Sequence, residues 1–154
     1  MGWTGVPSWD EEIKIRTASA GLAGCGYKLK EWPSTYKDLI VWQKAMDLVA
    51  ALYDATEGFP KREIYSLTDQ MRRAAVSIPS NIAEGQAHFS RREFRHFLRH
   101  SCGSLAELET QIVIAQRRNY LTESQTAELL QRTHEVGRIL SGLLNSLKEQ
   151  IPAA

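Results

Sequence analysis

Residues 71–85 read Met71-Arg72-Arg73-Ala74-Ala75-Val76-Ser77-Ile78-Pro79-Ser80-Asn81-Ile82-Ala83-Glu84-Gly85. Met71, Ala75, Ile78 and Ile82 recur at steps of four, three and four, the spacing of one apolar stripe on an α-helix. Pro79 sits inside that stripe. It lacks an N–H and its ring meets the carbonyl four residues back, so a bend or loosening is expected there. Ser77, Ser80 and Asn81 lie within a turn of the proline and have the side chains to satisfy freed backbone groups. Asn81 borders the stripe three residues after Ile78, so partial burial and a hydrogen-bond partner on a facing helix are expected. Gly85 suits a left-handed helix cap.

On either side the same period continues. A first helix is expected over 36–57, closed by Gly58 and Pro60. It carries two apolar seams: Leu39, Trp42, Met46, Val49 and Tyr53, and beside them Val41, Ala45, Leu48, Leu52 and Ala55. One bundle core needs one seam. Taking the first as the core seam, Val41, Ala45, Leu48 and Leu52 become the expected surface for self-association. The second helix, 63–84, contains the proline. The third opens at a capping box of Ser90 with Glu93 and has the seam Phe94, Leu98, Ser101, Leu105, Leu108, Ile112 and Ala115, with Gly103 and Ser104 allowing close approach. Arg117 and Arg118 complement its C-terminal dipole, and Asn119 supplies a left-handed cap. The fourth opens at a second box, Thr122 with Gln125, and has the seam Leu129, Thr133, Val136, Leu140, Leu143, Leu147 and Ile151. These elements predict an all-α, antiparallel up-down-up-down four-helix bundle over 36–151. Residues 1–35, with Trp3, Trp9 and Trp32, read as an irregular N-terminal extension.

The run R-R-A-A-V-S-I-P-S-N-I-A-E-G, with D-L-I-V-W-Q-K-A-M-D-L-V before it and G-S-L-A-E-L-E-T-Q after it, resembles the family of four-helix-bundle proteins encoded by intervening sequences in bacterial 23S ribosomal RNA genes. The resemblance spans about residues 36–150. It implies a pentameric homo-oligomer and brings no catalytic residues with it. Accessory proteins of diversity-generating retroelements are similar in bundle shape, which implies RNA or DNA, or a protein such as a polymerase or reverse transcriptase, as partners.

The chain has 154 residues, 43% hydrophobic and 24% charged, with a net charge of +1. That balance is ordinary for a globular protein, but the charge is unevenly placed. Residues 61–99 hold eight Lys or Arg against four Asp or Glu. Arg91, Arg95 and Arg99 are four apart and share a line with Arg92 beside them, a ridge suited to phosphates. Arg72, Arg73, Arg117 and Arg118 are further candidate contacts. The competing reading pairs these arginines with Glu63, Asp69 or Glu84 on a solvated face. Cys25 and Cys102 make no disulfide or zinc framework and fit a reducing cytoplasm. No membrane-spanning run is present. His96 and His100, at i and i+4 with Cys102 near, are too few for a metal site, so no metal or cofactor is expected. Glu107 and Glu109 point apart on a helix. Glu109 instead borders the third seam and is expected to bond to Asn81, Ser104 or a neighbouring arginine as a polar link between the second and third helices. With no nucleophile elbow or phosphate loop, the expected function is a non-enzymatic nucleic-acid-associated scaffold, with a protein-interaction adaptor as the alternative.

Overall fold

In the computed structural model, which describes residues 33–148, four α-helices follow a short 3-10 turn at Tyr36–Asp38. They are α1 (Ile40–Thr56), α2 (Leu67–Ala87), α3 (Arg91–Arg117) and α4 (Glu123–Ser146), with a second 3-10 turn at Lys61–Glu63. Each helix packs on its neighbours in sequence, and α1 and α4 meet to close the ring, the pattern of an up-down-up-down bundle. No strand occurs among the described residues. The tryptophans at 3, 9 and 32, most of the expected extension, and Ile151 lie outside the described residues.

Local chemistry sets the ends of the helices. Thr122 accepts from the Gln125 amide at 3.1 Å while Gln125 Oε1 accepts from the Thr122 amide at 2.9 Å, completing the box that starts α4. Ser90 accepts from the Glu93 amide at 3.4 Å, half of the expected box at the start of α3. Asn119 has φ 57°, the left-handed conformation expected after α3. The first helix begins later than expected because Leu39 is extended (φ −77°, ψ 120°) and breaks Tyr36–Asp38 from α1.

The core takes the predicted stripes of α2, α3 and α4. Met71, Ala75, Ile78 and Ile82 are buried, as are Phe94, Leu98, Ser101, Leu105, Leu108, Ile112 and Ala115, and Leu129, Thr133, Val136, Leu140, Leu143 and Leu147. On α1 the assignment is reversed. Val41, Ala45, Leu48 and Leu52, expected as an oligomer surface, lie in the core of the single chain. Met46 and Tyr53 of the other seam are each 42% exposed, and Trp42 and Val49 are half-buried. The physical reason is fit. A stripe of leucines around Ala45 lets α2 and α4 approach, whereas Trp42 and Tyr53 carry polar ends better left at a wet edge.

Pro79 is buried and α2 runs unbroken past it. Side chains meet the carbonyls around it: Ser80 Oγ donates to Val76 O at 2.8 Å, Asn81 Nδ2 to Ser77 O at 2.8 Å, and Ser101 Oγ, from α3, to Ile78 O at 3.0 Å. Gly85 is not a cap. The helix continues two residues beyond it, and a Cβ there would meet the Phe97 and Phe94 side chains, so glycine is required for α2 and α3 to touch.

Candidate nucleic-acid interface

The turn joining α2 to α3 is built by Gln86, His88, Phe89 and Ser90. Gln86 is buried and its amide donates to Pro33 O at 2.8 Å, pinning the start of the described chain to this end of the bundle. Phe89 takes φ 51° and its amide returns to Gln86 O at 3.2 Å. Ser90 then starts α3, and Arg91, Arg92 and Arg99 stand exposed along its first turns, with Arg95 half-buried among them. Arg95 Nε is buried and finds no hydrogen-bond partner within the bundle. Imidazole and phenyl rings interleave with these guanidinium groups. His88 stacks on Phe97 with centroids 5.2 Å apart and planes 14° apart, and the Nε2 atoms of His96 and His100 are 3.1 Å apart.

Among the described residues, no ion pair joins Arg91, Arg92, Arg95 or Arg99 to a carboxylate. Two of the acids proposed as their neutralising partners are engaged elsewhere. Glu63 accepts from the Tyr120 hydroxyl at 2.9 Å, and Asp69 pairs with Arg73 at 3.8 Å.

The remaining candidate arginines do not join the ridge. Ser77 and Ile78 lie level with Ser104 and Ser101, so the first turns of α2 sit toward the opposite end of the antiparallel pair. There Arg72 donates from Nε to Thr56 Oγ1 at 3.0 Å and covers the Tyr53 ring at 4.6 Å. Arg117 is exposed in the last turn of α3, and Arg118 lies 5.9 Å from the Tyr120 ring centre. Arg62 donates to the Tyr120 hydroxyl at 3.3 Å, tying the α1–α2 connection to the α3–α4 connection. This end also carries a groove lined by Tyr53, Ile64, Tyr65, Arg72 and Val76. Tyr65 is 95% exposed.

The expected link between Asn81 and Glu109 is absent. Asn81 Nδ2 bonds within its own helix, to Ser77 O and to Ser77 Oγ at 2.9 Å, and Ser104 Oγ donates to Ser77 Oγ at 3.0 Å. The side-chain bridge from α2 to α3 therefore runs through two serines, Ser77 and Ser104, beside the bond from Ser101 to Ile78 O. Glu109 faces α4 instead, 3.9 Å from His134 Nε2. Cys102 is half-buried, and burial pushes its thiol up, which disfavours a thiolate ligand. No three His, Cys, Asp or Glu side chains gather in a metal-holding arrangement among the described residues.

The sequence reading missed two residues. Phe89 gave no signal because Gly85 and Asn119 were the natural candidates for left-handed backbone. Tyr120 gave none because its partners are far away in sequence.

The description "23S rRNA-intervening sequence protein" is that of a family model matching residues 37–142. The chain belongs to that family. The match runs from the first 3-10 turn into the second half of α4 and so covers both the ridge and the groove. A solved structure shares the fold. It is a protein of unknown function of the S23 ribosomal protein family from Bacteroides thetaiotaomicron, 20% identical, with TM-score 0.64 over 69% of this chain and 96% of that one. Curated proteins give no match. No described helix is long and apolar enough to cross a membrane.

Proposed function

We propose that this member of the family is a non-enzymatic, cytoplasmic, nucleic-acid-associated scaffold whose phosphate-contacting edge is the ridge Arg91, Arg92, Arg95 and Arg99. The observation carrying this reading is that the four guanidinium groups crowd one end of the bundle without carboxylate partners among the described residues. Arg72, Arg73, Arg117 and Arg118 are lesser contributors, since stacking, pairing or helix capping already occupies them. A ridge neutralising about four phosphates predicts a loss of roughly a hundredfold in duplex affinity between 50 and 200 mM salt. Fluorescence anisotropy on ribosomal RNA fragments, with wild type and with Arg91, Arg95 and Arg99 together replaced by Ala, tests it. Salt-insensitive binding, or binding unchanged by the triple substitution, would refute the ridge.

The groove between α1 and α2 favours a second reading, a protein-interaction adaptor for a partner such as a polymerase or reverse transcriptase. Exposed Tyr53, Ile64, Tyr65 and Val76 meet there. Binding through these side chains would barely respond to salt. Self-association fits the same side of the molecule, where Met46 and Tyr53 continue the exposed apolar surface of α1, and the pentamer is the state implied by family resemblance. Light scattering across a concentration series decides between a closed oligomer and a single chain.

A further inference from the structure

His96 and His100 stand four apart on the exposed side of α3, so their rings lie one turn above the other. Their Nε2 atoms are 3.1 Å apart and their ring planes are 83° apart. As a hydrogen bond this contact asks for opposite tautomers, one Nε2 carrying a proton and the other presenting a lone pair. The same approach suits a second arrangement. Two nitrogens at about 2.0–2.1 Å from one metal ion lie about 3.3 Å apart at a tetrahedral angle and about 2.9 Å apart at a right angle. The separation of 3.1 Å falls between these values, so an ion can replace the shared proton with little movement of either ring.

The rings are also held in place. The centroid of Phe97 is 5.7 Å from that of His96 and 6.3 Å from that of His100, and the root of its side chain packs on Gly85 of α2. Phe94 and Leu98, buried along the same turns, keep the helix seated. Cys102 is two positions beyond His100 and points away, and His88 is stacked flat on Phe97. We infer that His96 and His100 chelate one divalent ion of the borderline class, Cu²⁺, Ni²⁺ or Zn²⁺, through their Nε2 atoms, with water in the remaining positions. Imidazole selects these ions over Mg²⁺ and Ca²⁺, which prefer oxygen. Two imidazoles are fewer ligands than a structural zinc site uses, so the ion is exchangeable and the bundle folds without it. Arg92 and Arg99, within one turn of His96, oppose a cation by repulsion and draw anions toward its open positions. The site stands whether or not the ridge binds nucleic acid.

The test is isothermal titration calorimetry of the untagged full chain, at mildly alkaline pH, with the chlorides of Cu²⁺, Ni²⁺, Zn²⁺ and Mg²⁺. Wild type should take up one Cu²⁺, Ni²⁺ or Zn²⁺ per chain, tightest for Cu²⁺, and no Mg²⁺ at the same concentrations. His96→Ala and His100→Ala should each weaken Ni²⁺ binding about tenfold or more, because a single imidazole lacks the effective concentration that the second ring supplies. His88→Ala should bind as wild type does. Both ligand rings are exposed, so the variants should unfold close to the wild-type temperature without metal. Excess Ni²⁺ should raise that temperature for wild type and His88→Ala alone, since the two nitrogens are brought together only in the folded helix. Failure of wild type to bind any of the three ions overturns the site, as does Ni²⁺ binding that survives His96→Ala or His100→Ala unchanged. Loss of Ni²⁺ binding in His88→Ala overturns the two-nitrogen site in favour of one that needs a third imidazole.

Discussion

A β-carbon on Gly85 would lie 2.6 Å from the β-carbon of Phe97, closer than two such atoms can stand. The clash is with the root of the Phe97 side chain, which no rotamer change can move, so α2 and α3 would have to separate. Gly85→Ala should therefore cost about 1–2 kcal/mol, overpacking outweighing the roughly 1 kcal/mol by which alanine favours a helix. Gly103 provides the control. It too lies inside a helix, but a β-carbon there meets nothing within 4 Å. Gly103→Ala should stabilise by about 0.5–1 kcal/mol. Urea denaturation of the two variants should move their midpoints in opposite directions.

The two seams of α1 differ in what they support. Leu48 is fully buried, and Leu48→Ala should lower stability by about 2–5 kcal/mol. Met46 is 42% exposed, and Met46→Ala should leave the stability of a single bundle within about 0.5 kcal/mol while weakening any self-association through that face. Denaturation at low protein concentration, followed by light scattering of the same variants, separates the two effects.

The Glu63 carboxyl is held below the ordinary carboxylate range, first by the Tyr120 hydroxyl that donates to it, against some desolvation, and then by Leu67, Ser66 and Arg62. A depressed folded value means that the contribution is complete above the unfolded carboxylate pKa of about 4.3 and is lost as pH falls through the folded value. Tyr120→Phe keeps the ring against Phe59, 5.5 Å away, and removes only the hydroxyl. The variant should be less stable than wild type at pH 7, and the difference should shrink as pH falls below the unfolded carboxylate pKa and Glu63 takes up a proton. Chemical denaturation at pH 7 and below that pKa checks this, and a pH-independent difference would show that the hydroxyl acts apart from the charge.

Most of the fold could be read from residue spacing because three of the helices offer a single apolar stripe each and two begin at recognisable caps. The first helix could not be oriented this way. Its seams are adjacent and equally regular, and the choice rests on which side chains fit α2 and α4. Gly85 misled for a related reason: a glycine near a helix end suggests a cap, and only the facing phenylalanines show that close approach is its purpose. At the candidate site, the line of Arg91, Arg95 and Arg99 follows from helical period. The lack of acidic partners among the described residues does not, because Glu63 is claimed by Tyr120, fifty-seven residues away. Asn81 turned inward to its own helix because Ser77 supplies two acceptors only one turn back.

The close passage of α2 and α3 has a kinetic meaning. Their contacts join residues near in sequence, such as Ser101 with Ile78, twenty-three positions apart, so little chain entropy is lost in making them. The meeting of α1 with α4, marked by Lys44 and Glu135 at 3.0 Å, closes a far longer loop. Loop length therefore favours the α2–α3 hairpin over the α1–α4 contact as an early step of folding. Changes at Gly85 should appear mainly in the folding rate and changes at Leu48 mainly in the unfolding rate.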